Sequence, residues 1–185
     1  MDEKRETWLQ QYQNVLELYK EEPKWLRQLR EKSFRSYIEQ PTPNFGPDVN
    51  FSIDRIFPIT TNQKNQDRSF LQGGKKIVYC DLCTARDRYS KLFRLWIQHV
   101  VRYDENKYSA LHTALMNGGT FIYVPPHTKI DRPLQSYFRI NSENMGQFER
   151  TLIIVDDDSE LHYMEGCTAP TYSTDSLHAA VVEIY

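Results

Sequence analysis

Phe148-Glu149-Arg150-Thr151-Leu152-Ile153-Ile154-Val155 and Leu177-His178-Ala179-Ala180-Val181-Val182-Glu183-Ile184-Tyr185 are the two stretches on which the fold of this chain turns. Both are short, rich in β-branched and apolar residues, and bounded by Gly, Asp, Ser and Thr, which reads as strand. Working outward, Thr120 to Val124, Gln135 to Asn141 and Glu160 to Glu165 carry the same signal. Five short strands separated by Pro, Asn, Gly and Asp clusters are compatible with a sandwich, a barrel or a β-solenoid. Periodicity does not separate these three, and no strict repeat is visible.

Towards the amino end the period lengthens. Lys107 to Met116 reads as a helix stopped by Asn117-Gly118-Gly119. Tyr89 to Val101 is a second helical pattern, and Lys76 to Cys80 a short buried strand. From Thr42 to Gly74 the pattern dissolves into Pro, Asn, Gln, Asp and Gly, as in a linker or partly ordered loop. Before it lie two amphipathic helices. One carries Trp8, Leu9, Tyr12, Val15, Leu16 and Tyr19; the other starts near Pro23, carries Trp25, Leu26, Leu29, Phe34, Tyr37 and Ile38, and stops at Pro41 and Pro43. Their aromatic stripes are expected to pack on each other rather than serve as a docking surface. The division is therefore 1–41 helical, 42–75 linker, 76–118 mixed strand and helix, and 119–185 strand-rich core.

The 185 residues carry 23 Lys and Arg against 25 Asp and Glu, a net charge of −2 with the signs interspersed. That balance offers no basic face for nucleic acid or an anionic membrane. Mean hydropathy is −0.67, and no apolar run approaches a membrane span. The charged opening residues lack the apolar core of a signal peptide. A cytoplasmic location is expected. Three cysteines, at 80, 83 and 167, form no disulfide framework.

A series of motifs resembles the SufB family of iron–sulfur cluster scaffolds. Glu22-Pro23-Lys24-Trp25-Leu26, Arg30 and Pro43-Asn44-Phe45-Gly46-Pro47-Asp48 are similar to its amino-terminal signature. Asp104-Glu105-Asn106-Lys107-Tyr108-Ser109-Ala110-Leu111-His112 and Gly118-Gly119-Thr120-Phe121-Ile122-Tyr123-Val124-Pro125 resemble the segments leading into its core. The densest match runs through Tyr137-Phe138-Arg139-Ile140-Asn141, Gly146-Gln147-Phe148-Glu149-Arg150-Thr151 and Glu165-Gly166-Cys167-Thr168-Ala169-Pro170 to Leu177-His178-Ala179-Ala180-Val181-Val182-Glu183. The Cys167 motif favours SufB over its paralogue SufD.

The resemblance implies an α+β chain, with a helical amino-terminal region followed by the first rungs of a right-handed parallel β-helix, here incomplete. It implies SufD-like and SufC-like partner subunits, a SufE- or SufU-type sulfur donor, a transient iron–sulfur cluster, and reduced flavin in the full complex. Family members are more than twice as long, so a truncated scaffold lacking the SufC-binding helices and the downstream cluster residues is expected. Its open β edge invites self-association. The alternative is a β-solenoid binding module without sulfur chemistry, recruiting a partner by strand addition.

The chemistry centres on Cys167. A thiolate is both a nucleophile towards a persulfide and a soft metal ligand, and this cysteine ends a strand beside a turn. By resemblance it is the sulfur acceptor. Arg139 and Asn141, two apart on a strand and so on one face, match positions proposed to line a sulfur path. Cys80-Asp81-Leu82-Cys83 has no second ligand pair for zinc, and packing is the expected role of both cysteines. The five histidines make no metal-ligand pattern; His178 is expected at a core position. Asp156-Asp157-Asp158 reads as a solvated turn rather than a carbohydrate-cleaving carboxylate set. No phosphate loop and no nucleophile elbow is present, so neither ATP binding nor acyl transfer is expected.

Overall fold

The computed structural model describes residues 3–45, 66–139, 146–168 and 177–185. The chain divides into two compact units, Met1–Pro47 with Arg102–Leu115, and Asp48–Val101 with Met116–Tyr185.

The first unit holds helices α1 (Glu3–Leu18), α2 (Lys24–Glu39) and α5 (Lys107–Leu115). Pro23 precedes the first turn of α2 with φ −53°, where its missing N–H costs no hydrogen bond. The aromatic stripes do pack together: Tyr12 stacks on Phe34 at 3.9 Å between ring centres, and Leu26, Phe34 and Tyr37 are buried. Arg30 is the hub of this unit. It donates to both carboxylate oxygens of Glu22 (2.8 and 2.9 Å) and to the Ala114 carbonyl (3.0 Å), beneath the Tyr19 ring. A buried guanidinium is tolerable only with such a full set of acceptors. No described helix is long and apolar enough to cross a membrane.

Among its described residues the second unit holds seven strands. β1 (Phe70–Gln72) and β2 (Lys75–Asp81) form a hairpin through Gly73 and Gly74, both at positive φ. β2 pairs antiparallel with β3 (Thr120–Val124). From there every pairing is parallel: β3 with β5 (Gly146–Val155), β5 with β7 (Leu177–Ile184), and, in a separate sheet, β4 (Leu134–Arg139) with β6 (Tyr163–Thr168). The larger sheet has the order β1-β2-β3-β5-β7.

Mixed helix and strand agrees with the expected α+β class, and three boundaries are corrected. The segment read as linker over 42–75 contains β1, which the Gly-Gly turn makes possible. The helix expected over 89–101 is shorter, α4 (Ser90–Trp96), and a separate unexpected helix, α3 (Leu82–Arg88), precedes it. Asp81 starts α3 by accepting from the Thr84 N–H (2.9 Å) and hydroxyl (2.8 Å), and Gln98, at φ 72°, lies beyond the end of α4. The strand expected from Glu160 begins only at Tyr163; Glu160 makes an isolated bridge to Lys129, and the strand extends instead to Thr168.

β5 is buried on both faces. On one, Ile153 joins Ile77, Tyr79, Ile122, Val124, Ile130 and Leu134 in an apolar cluster between the two sheets. On the other, Arg150 forms an ion pair with Glu183 of β7, 2.6 Å apart with both side chains fully buried. Glu183 also accepts the N–H groups of Val100 (3.0 Å) and Val101 (3.1 Å) and the Tyr185 hydroxyl (2.9 Å), and Arg150 donates to the Val101 carbonyl (2.6 Å). These bonds tie the segment after α4 to the sheet.

Candidate functional site

The interior between the two sheets changes character along its length. At one end it is hydrocarbon, the Ile77–Ile153 cluster just described. One step along the strands it becomes polar. There the Thr120 hydroxyl of β3 donates to Ser136 of β4 (2.8 Å), and Thr151 of β5 donates to Glu165 of β6 (2.6 Å). Tyr163 also donates to Glu165 (2.8 Å), and Tyr79 reaches the Gln135 carbonyl. Facing bonds of this kind fix how the sheets are aligned, since side chains on one face recur every second residue.

One further step brings Glu149 on the β5 side, together with its supports. His178 Nε2 lies 2.7 Å from a Glu149 oxygen, and Gln147 donates to the other. Glu149 is 1% exposed, and burial pushes its carboxyl up to about 7 against the opposing pull of His178 and Gln147. On the opposing sheet the same step reaches Cys167, paired in register with Phe138. Cys167 follows Tyr163 and Glu165 on one face of β6 and is exposed. Gly166, between them, turns to the other face, where an added Cβ would come within 3.2 Å of the Tyr137 ring. The Tyr137 hydroxyl is 2.7 Å from Thr168 Oγ1.

The other expected site residues fall as follows. Arg139 is exposed, pairs in register with Thr168, and lines a cleft of about 310 Å³ with Arg68, Tyr79, Thr120, Ser136 and Gln147. Strand alternation sets it on the face of Tyr137, opposite to that of Cys167. Asn141 lies outside the described residues. Cys80 is buried in β2 with its thiol pushed up to about 12 by burial, which leaves it protonated and inert, while Cys83 sits in α3. Among the described residues no group of three or more His, Cys, Asp or Glu side chains could hold a metal ion.

Sequence reading did not single out Glu149. The available signal was a Glu-Arg pair inside an otherwise apolar strand, an arrangement that burial permits only with partners.

Residues 49–136 match the family described as SufBD protein N-terminal region, and residues 138–185 match SUF system FeS cluster assembly, SufBD core domain. The chain belongs to the SufBD family. It is 39% identical to an iron–sulfur cluster assembly SufBD family protein of Staphylococcus saprophyticus over 89% of this chain and 45% of that protein. It is 38% identical, with the same coverage, to the iron–sulfur cluster assembly protein SufB of Bacillus subtilis and to a SufBD family protein of Staphylococcus aureus. The chain thus spans just under half the length of these SufBD relatives.

Proposed function

We propose that this chain is a SufB-type scaffold component that accepts sulfur at Cys167 from a SufE- or SufU-type persulfide donor, within a cytoplasmic SufBCD-type complex. One observation carries the reading: Cys167 is exposed at the polar end of an interior whose preceding inward positions, Tyr163 and Glu165, are both hydrogen-bonded. A thiol so placed is open to a donor on one side and continuous with a polar path on the other. The parallel pairings of β3, β5 and β7 and of β4 and β6 support reading the second unit as the opening rungs of a right-handed parallel β-helix. Arg139, exposed on the outer face next to this strand end, is the cation we assign to meet the donor's persulfide anion before transfer, with Asn141 as its companion. The cluster is cargo in this scheme, and its ligands, like any reduced flavin, are assigned to the complex rather than to residues named here.

The test is to mix the chain with a persulfidated SufE or SufU donor and follow its intact mass. Gain of one sulfur atom, mapped to Cys167 and lost in Cys167→Ser, is the expected result. A folded chain that never gains sulfur at Cys167 overturns the reading.

A second reading rests on β7, which among the described residues pairs with β5 alone and leaves Val182 and Ile184 exposed. Under it the chain is a binding module working through that edge by strand addition. Cys167→Ser then changes no interaction and no activity.

A further inference from the structure

Two hydrogen bonds align the facing sheets independently: Thr120 to Ser136, and Thr151 to Glu165. Within the sheets, Phe121 pairs with Leu152, and Ser136 with Glu165, so both contacts lie at one level. The strands of the two sheets run in opposite directions. The apolar cluster holds Ile153 from the carboxyl end of β5 but Leu134 from the amino end of β4. The next level is therefore reached by stepping two residues back on β3 and β5 and two residues forward on β4 and β6. That step takes Thr120 to Gly118 and Thr151 to Glu149, which form a bridge pair, and Ser136 to Phe138 and Glu165 to Cys167, which pair in register. The register thus sets Gly118 at the level of Phe138, and Glu149 at the level of Cys167. Reach agrees as well. At the first level a short side chain, Thr151, meets a long one, Glu165. At the second, the long one is Glu149 and the short one is Cys167.

We propose that Glu149 is the base that takes the thiol proton of Cys167, with His178 and Gln147 as the residues that position its carboxylate. The proposal rests on sulfur acceptance at Cys167 and adds the group that makes the thiol a nucleophile. The step balances without any redox partner. The Cys167 S–H proton passes to the Glu149 carboxylate. The thiolate attacks the outer sulfur of a donor hydropersulfide, forming the new S–S bond. The donor S–S bond breaks, its electron pair leaves on the donor sulfur, and that sulfur takes a proton from solvent. Glu149 then returns its proton to solvent. A carboxyl raised to about 7 by burial is better matched to a thiol than an ordinary carboxylate is. Other ionisable groups near this part of the inner face are Glu165 and Tyr163 of β6, His178 of β7 and Tyr79 of β2, and Arg68, Cys80, Asp81, Tyr137 and Arg139 line the adjoining cleft.

The experiment compares the full chain with Glu149→Gln at pH 8 in two reactions of Cys167, each read on its own peptide by mass spectrometry. One is alkylation by iodoacetamide, and the other is sulfur uptake from glutathione hydropersulfide. With the carboxylate gone, like-charge repulsion on the attacking sulfur anion is relieved, so alkylation is expected to rise about threefold. Loss of the base is expected to slow sulfur uptake at least about tenfold. Two rates moving in opposite directions are the signature; a structural role moves both down together and overturns the assignment. So do unchanged rates, or uptake rising in step with alkylation. Should Glu149→Gln not fold, His178→Ala is expected to move the rising limb of the uptake profile to higher pH by about half a unit or more, because an unsupported carboxylate holds its proton longer. An unmoved limb overturns the proposal. If the parent chain takes up no sulfur, sulfur acceptance itself fails, while the alkylation arm still reports whether Glu149 faces the thiol.

Discussion

Glu149 and Arg150 are neighbours in the chain, both essentially removed from solvent, yet they point to opposite faces of β5 and live in opposite electrostatic circumstances. Arg150 meets a carboxylate at 2.6 Å and a carbonyl at 2.6 Å, and its partner Glu183 collects three backbone N–H groups and a hydroxyl. Burial alone would push the Glu183 carboxyl up, but Arg150 and those donors outweigh it and hold it below the usual range. Glu149 has an imidazole and an amide, and these do not offset its loss of water, so its carboxyl stays high. The lesson is that burial of a charge says little until the donors around it are counted. A carboxylate whose donors outweigh burial, like Glu183, is saturated and structural, and one where burial wins, like Glu149, is poised to exchange a proton.

The sharpest way to break this contrast is on the saturated side. Arg150→Met leaves Glu183 buried with no cation, and we expect a loss of about 3–5 kcal/mol in urea unfolding. A change below about 1 kcal/mol would place the two clusters in one class. Next in size is Glu149→Gln, with the opposite sign. Because the folded carboxyl titrates near 7 and an unfolded one near 4.5, the native state binds the extra proton between these values. Stability from this group is therefore full below about pH 4.5 and is lost as the pH rises through about 7. The variant should lack that decline and exceed the parent at pH 8 by up to about 3 kcal/mol, with no gain at pH 4. Unfolding curves at the two pH values decide it. The smallest effect is expected at the level between the faces. Thr151→Val removes the bond to Glu165, whose carboxylate keeps access to water, and should cost roughly 1 kcal/mol. A loss near that of Arg150→Met would mean that this contact, not the ion pair, sets the alignment of the sheets.

Much of the fold was legible because strand runs such as Phe148–Val155 and Leu177–Tyr185 announce themselves by composition, and because Asn117-Gly118-Gly119 marks a helix end. What escaped depends on contacts distant in sequence. β1 exists because β2 offers it a partner, and nothing in Phe70-Leu71-Gln72 alone says so. Helix α3 escaped because its seven residues carry little apolar periodicity, and the Asp81 cap that starts it acts through its own fold context. At the site, Cys167 was recognisable from its motif and from the strand end it occupies. Glu149 was not, since its importance lies in which residue stands across from it. Alternation along β5 could have shown Glu149 and Arg150 parting to opposite faces, but not the pairing of sheets that gives each face its meaning.

Gly119 has a consequence for how this protein can vary. It sits at φ 129°, and a methyl group there would overlap the Arg150 backbone. A replacement must either drive β3 away from β5 or slide one strand along the other, and sliding would exchange the inward and outward sets of side chains. The missing methyl thus acts as an indexing pin, and inheritance at this codon is expected to be as strict as at the thiol, although position 119 touches no sulfur.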